Sequence, residues 1–422
     1  MKKKISKTLL IILCSIVAGF LLLLIAYLLP TDGMKNNVEQ STVILNSEGK
    51  YKRVIDGLEY TTLDNFTDSL MLSNAIYDGN ENIIDKSMSV YRYEIDDINK
   101  SSEPIESLNN IFTNKLPQTK TTYSRYWHGY LIILKPILML LDYQNIRVIN
   151  GAVQLLLVIL ISILLYKKKK EKYILPYVLS IIMLSPFTIM MSLQYSTIFY
   201  ISNISLIALL LLDDRLKTNK SYIYYFLIIG IITSYFDFLT YPLVALGFPL
   251  IMYFILRDEK SFKTNIKDII VNSFMWGLGY LSMWIGKIIV GSLLTSENVF
   301  KSALGAFESR TSLEAYEQSI NFTKVVKENL KYVVNEPYVL MILIFLVVSV
   351  TVFILNKNKI NKEKLLKIIP FIIISFMPFI WYLVTANHSY VHSFFTYRIL
   401  VISIFAFLTC IVSFIEIKKK GD

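Results

Sequence analysis

A chain of 422 residues with 54% hydrophobic content and a mean hydropathy of +0.50 is too apolar for a soluble globular protein, whose apolar share is about 45–50% even with glycine counted. The formal net charge of +11 does not point to nucleic acid, because the lysines cluster at the ends of apolar runs, as they do in the cytoplasmic loops of membrane proteins. Cys14 and Cys410 both lie inside apolar runs, which excludes a disulfide framework and a thiolate metal site.

In chain order, MKKKISK is followed by an apolar run from Thr8 to Leu29. It is long enough to span and has no small-x-small cleavage pattern after it, so it reads as an uncleaved first helix. Residues 30 to 128 form a long, more acidic than basic loop. Within it, Asn65 to Tyr77 reads as a helix with Asp64 as N-cap and an apolar face of Leu70, Met71, Asn74 and Ile76. GYLIILKPILMLLDY (129–143) is too short to cross, is broken by Pro136, and is expected to lie along the membrane interface.

Further spans are expected at Arg147–Tyr166, Tyr173–Leu193, Thr197–Leu212, Tyr222–Tyr235 and Tyr241–Leu256. Ile269–Leu294, Tyr338–Leu355, Ile368–Thr385 and Arg398–Ile417 follow, giving about ten at the usual length of roughly 20 residues. The split between Tyr235 and Tyr241 rests on Pro242, which pushes the residue before it out of the helical region. Glu297 to Lys331 carries apolar residues at spacings suited to amphipathic helices. The predicted class is an all-α polytopic membrane protein. Its expected parts are a first transmembrane helix (1–30), an extracytoplasmic loop with interfacial helices (31–146), transmembrane helices two to seven (147–294), a second extracytoplasmic loop (295–336), and the last three spans with an outer patch at 386–398 (337–422).

Basic clusters at Lys2–Lys4, Lys167–Lys170, Arg215–Lys220, Arg257–Lys267, Lys357–Lys367 and Lys418–Lys420 alternate with poorly basic connections. The positive-inside rule then puts both termini in the cytoplasm of a plasma-membrane protein and the long loop outside.

That register gathers the three histidines of the chain on one face, in YSRYWHGY (123–130) and NHSYVHSFFTYR (387–398), together with the acidic patch LDNFTDSLML (63–72). Asp64 and Asp68 are four apart and share a helix face. They are either a cap and a dipole-stabilised first-turn acid, or a general base or metal ligand whose pKa rises on desolvation. His128 lies beside Arg125, Tyr126 and Trp127, a string that fits both interface anchoring and a grip on phosphate. Asp237, between two phenylalanines, is either a helix-end acid reaching water or a group facing a polar site. His388 and His392 are spaced for a helical metal pair, but with no acid nearby the signal is weak. Arg398 either snorkels to the interface or binds phosphate with histidine help.

The order of these parts resembles the GT-C superfamily of integral membrane glycosyltransferases, in which one span precedes a large outer loop with an essential Asp, then a polar-aromatic turn and an interfacial helix. Here these are LDNFTDSLML, YSRYWHGY and YLIILKPILMLL, and the likeness of layout extends to about Arg215. The chain departs from the family in having no adjacent acidic pair, and in having Gly129 and Tyr130 where the family has prolines after its histidine. The resemblance implies transfer of a sugar from a polyprenyl-phosphate carrier to a glycan or lipid-linked acceptor of a bacterial cell envelope. It implies Asp68 or Asp64 as the base, His128 as the first-loop histidine, and Arg125, His388, His392 and Arg398 as groups holding the carrier phosphate. A divalent metal is compatible with that chemistry, but no acidic cluster requires one. The competing expectations are a flippase or transporter for lipid-linked saccharide, and a glycan polymerase, ligase or acyltransferase.

Overall fold

The computed structural model describes residues 2–96, 103–257 and 261–416; the predicted lysine cluster 418–420 lies outside these. Among the described residues, seven helices are long and apolar enough to cross a membrane: Lys2–Tyr27, Tyr143–Lys167, Leu193–Thr218, Phe262–Leu294, Glu336–Leu355, Lys362–Val384 and Ser393–Ser413. The protein is therefore a polytopic helical membrane protein, its lipid-facing helices exposing leucine, isoleucine and valine side chains as a hydrocarbon surround requires.

The three remaining apolar segments form shorter helices. Tyr222–Phe236 and Val244–Leu256 are separate, divided at the turn before Pro242 as the sequence predicts. The expected continuous span Tyr173–Leu193 is instead broken into Ile174–Met183 and Pro186–Met191. Pro186 disfavours helical backbone at Ser185, which adopts the left-handed region with φ 62°. The break leaves carbonyls without intrahelical partners, and that of Leu184 accepts from Arg398 Nε at 3.0 Å.

Helices Tyr143–Lys167 and Leu193–Thr218 run parallel. Gln154 bonds Ser196 near one end at 3.0 Å, and Lys168 pairs with Asp214 near the other at 3.1 Å. The bundle thus has two distinct ends, one carrying the polar patches and one carrying lysines.

The tightest helix contact joins Tyr222–Phe236 to Phe262–Leu294. A Cβ on Gly230 would sit 2.0 Å from the Trp276 carbonyl oxygen, and one on Gly279 would sit 2.2 Å from that of Leu227. Small residues let helix backbones approach in membranes, and here the obstacle is rigid main chain. Gly230→Leu is accordingly expected to part the pair, at a cost above the usual overpacking penalty of about 1–3 kcal/mol. The observable is loss of the monodisperse peak in fluorescence-detected size exclusion.

Residues 32–96 and 103–138 fold into an appendage on the polar end. The sequence predicted only its interfacial helices. It also holds Asp32–Glu48, Pro104–Thr113 and a two-stranded antiparallel sheet pairing Tyr91–Ile95 with Gln118–Thr122. Asn65–Ile76 forms where expected, with Asp64 accepting from the Thr67 amide at 3.0 Å. It is not half-exposed, however: from Asp68 to Ile76 only Leu70 is not buried, because other appendage helices and the membrane bundle pack around it. The segment expected at the interface forms the helix Leu131–Leu138, which runs through Pro136 rather than breaking there, and its buried Lys135 donates to the Ala75 carbonyl at 2.6 Å, capping the last turn of that central helix.

Candidate functional site

The eight predicted residues fall into two neighbouring clusters at the polar end. The first contains Asp64, Asp68 and Arg398, all buried. Asp68 is saturated: it accepts from the Ser192 hydroxyl at 3.2 Å, the Leu193 amide at 2.9 Å, the Gln194 amide at 3.1 Å and the Tyr143 hydroxyl. Its carboxylate thus sits on the N-terminus of Leu193–Thr218, where free amides and the helix dipole favour a negative charge. Burial pushes its pKa up, against the pull of these donors.

Behind Asp68 stands a second buried layer. Arg147 donates to the Tyr143 hydroxyl at 3.1 Å, to Asn65 Oδ1 at 2.9 Å, and in a two-pronged pair to Glu48 at 3.0 and 2.9 Å. Glu48, Arg147 and Tyr143 were not singled out by the sequence. The available signal was Arg147 itself, a cation opening an apolar span.

Asp64 differs from Asp68. The only hydrogen-bond partners of its carboxylate among the described residues are the Thr67 amide and hydroxyl, at 3.0 and 2.8 Å. Burial, helped by the negative charge of Asp68, pushes its pKa up to about 7, with Thr67 and the more distant Arg398 opposing. Arg398 is fully buried. It donates to Leu184 O, Phe394 O and Thr188 Oγ1 at 3.0, 3.3 and 2.8 Å and lies over the rings of Tyr195 and Tyr397, but it forms no ion pair with a carboxylate among the described residues. Snorkelling to the interface is therefore not its arrangement.

The second cluster holds Arg125, His128, Asp237, His388 and His392. His128 has φ 54°, and the next residue, Gly129, has no room for a Cβ, which would lie 2.6 Å from the Tyr235 carbonyl. The His128 ring joins two segments: Nε2 donates to the Tyr123 carbonyl at 2.8 Å, leaving Nδ1 to accept from Tyr130 at 3.3 Å, whose hydroxyl accepts from Asn74 at 3.1 Å. Burial, with the nearby Lys287 charge, pushes its pKa down to about 3. His128 is thus a neutral joint between turn and helix.

His388 is likewise neutral, held far below the usual histidine range by burial and by Arg310. An arginine only donates, so the 2.9 Å contact from Arg310 Nη1 falls on an unprotonated Nδ1, and Nε2 donates to Leu239 O at 2.7 Å. His392, its pKa lowered to about 4 by burial, stacks on Phe395 at 5.2 Å. Asp237 accepts from the Leu239 and Thr240 amides at 2.8 and 3.0 Å and from the Thr240 hydroxyl. Burial raises its pKa to about 6, against these bonds and Arg310.

Arg310 is the residue the sequence did not flag, and it is the hub of this cluster. It comes from Val299–Thr311 in the second loop and faces the Tyr126 ring at 5.8 Å. Arg125 lies 4.4 Å over the Tyr123 ring with its Nε buried and unpartnered. Tyr241 is in electrostatic range of both Asp237 and Arg398, and so borders both clusters. No group of three or more His, Cys, Asp or Glu gathers as a metal set among the described residues.

Comparison with protein-family models, with curated proteins and with solved structures gave no match.

Proposed function

We propose that this protein is a membrane glycosyltransferase of GT-C type, moving a sugar from a polyprenyl-phosphate carrier to a cell-envelope glycan or lipid-linked acceptor. In this reading the chain crosses a bacterial plasma membrane ten times, keeps both termini in the cytoplasm and turns its polar end outward. The observation that carries it is the inequality of the two aspartates. Asp68 is consumed by a helix terminus, whereas Asp64 keeps carboxylate capacity beyond Thr67 and has a pKa near 7, where a general base works best.

The chemistry then needs few groups. Asp64 takes the proton of the acceptor hydroxyl, the acceptor oxygen bonds to the sugar anomeric carbon, and the bond from that carbon to the carrier phosphate breaks. The phosphate leaves with its electron pair and is balanced by arginine. Arg310 and Arg125, with Arg398 behind the tyrosine wall, supply the charge, and neutral His388 orients Arg310.

A flippase is less well supported. It wants ionisable groups near the membrane midplane, whereas Lys287 is tied to the appendage through the Met88 carbonyl at 2.7 Å. The test is purified protein given a labelled polyprenyl-phosphate sugar and acceptor. Transfer of single sugars is expected. Arg310→Gln is expected to cut it about a hundredfold, as loss of a transition-state charge partner does, while circular dichroism is unchanged. Movement of intact carrier across vesicles without transfer, or transfer of preformed glycan blocks, excludes the proposal.

A further inference from the structure

The opposite end of the bundle holds a cavity of about 330 Å³ that none of the foregoing chemistry uses. Its polar wall carries six basic side chains, Lys169, Lys170, Lys172, Arg257, Lys364 and Lys367, against two acids, Glu363 and Glu416. Its other wall is apolar, made by Phe254, Ile255, Pro370 and Phe371. The elements that supply it are all helix ends: Tyr143–Lys167 and Val244–Leu256 finish there, and Lys362–Ser375 begins there.

Two of the cations, Lys172 and Arg257, are held in place with no ion pair to a carboxylate within 4 Å among the described residues. Lys172 donates to the Ile415 carbonyl at 3.1 Å. The Arg257 guanidinium lies between the Tyr222 and Tyr253 rings, at 4.9 and 4.8 Å, and its Nε is buried with no hydrogen-bond partner among the described residues. Lys364 is paired, since Glu416 sits 3.2 Å from it. Burial, against the pull of Glu416 and with the push of Lys170, Lys364 and Lys367, also brings the Lys172 pKa down to about 8.

We propose that this cavity is a binding site for the headgroup of an acidic phospholipid, its phosphodiester among Lys172, Arg257 and the neighbouring lysines and its acyl chains leaving along Phe254 and Phe371. A soluble phosphate is the poorer fit because it would leave Phe254, Ile255, Pro370 and Phe371, which line the same cavity, without an apolar partner. Basic pockets between transmembrane helices on the lysine-rich side of a membrane protein have the right chemistry for anionic headgroups. The inference does not depend on the transferase reading, since it uses no residue of the polar end.

The test uses full-length protein in a zwitterionic detergent, probed by native mass spectrometry with added phosphatidylglycerol or phosphatidylcholine. Phosphatidylglycerol is expected to be retained at least tenfold more strongly, and Lys172→Gln with Arg257→Gln to abolish that preference. Lys217→Gln with Lys220→Gln, on another basic loop, is expected to keep it. Should the cavity variant not fold, photoreactive phosphatidylglycerol on the unaltered protein replaces it, with labelling expected in 169–173 and 361–371. Equal retention of the two lipids, labelling elsewhere, or displacement of phosphatidylglycerol by millimolar inorganic phosphate overturns the proposal, the last outcome assigning the cavity to a soluble anion.

Discussion

Asp64→Asn is expected to yield a folded protein whose sugar transfer is slower by about two to four orders of magnitude, the range that a positioned general base contributes. The fold survives because Asn is as good an N-cap as Asp, and the Thr67 amide and hydroxyl can both still find the amide oxygen. The pH dependence carries the same information. The active base is the ionised form, so with a folded-state pKa near 7 the rate rises as pH climbs through about 7 and levels off above it. That limb is absent from the residual activity of the variant. Stability moves the other way. A carboxyl whose pKa is higher folded than unfolded favours the native state most at low pH and gives up that contribution as pH rises from about 4 to about 7. Above pH 7 the Asn variant is therefore expected to melt no lower than the parent. Transfer at parental rate by the Asn variant would remove Asp64 from the mechanism.

The sequence made several elements legible for reasons that can be stated residue by residue. Asp64 announced a helix start because a capping acid followed by a mixed apolar run has few other readings, and the helix begins one residue later. Pro242 divided two short helices because the backbone before a proline resists helix, and the same rule applied at Pro186 would have revealed the break at Ser185. Long lipid-facing helices such as Glu336–Leu355 were plain from hydropathy alone. The partner of a buried charge, by contrast, is not a local property. Glu48 and Arg147 are ninety-nine positions apart, and Arg310 and His388 seventy-eight, so neither pairing leaves a trace in spacing. Periodicity also could not tell that Asn65–Ile76 is wrapped on nearly every side. Ser69 and Ser73 lie off the apolar face that the sequence suggests, yet both are buried.

The most destructive single change for stability is expected at Arg147. Its guanidinium and the Glu48 carboxylate are only 7% and 3% exposed, so Arg147→Met leaves a buried carboxylate whose one remaining cation among the described residues is the half-exposed Lys52, 4.0 Å away. Breaking such a pair from one side costs about 3–5 kcal/mol, whereas replacing both members with neutral groups is far milder. Glu48→Gln combined with Arg147→Met is thus expected to recover much of what Arg147→Met loses, a non-additivity that thermal melts of the four proteins read directly. The position of Arg147 makes the loss spread. It steadies the Tyr143 hydroxyl, that hydroxyl holds Asp68, and Asp68 ties the appendage to the start of Leu193–Thr218. Hydrogen exchange in the single variant is therefore expected to quicken across residues 65–76 and at the 193–197 amides, while the lysine-rich end of the same helices stays protected. A uniform rise in exchange along the whole bundle would mean that the appendage and the membrane helices open as one unit, and the proposed chain from Glu48 to Asp68 would not be what joins them.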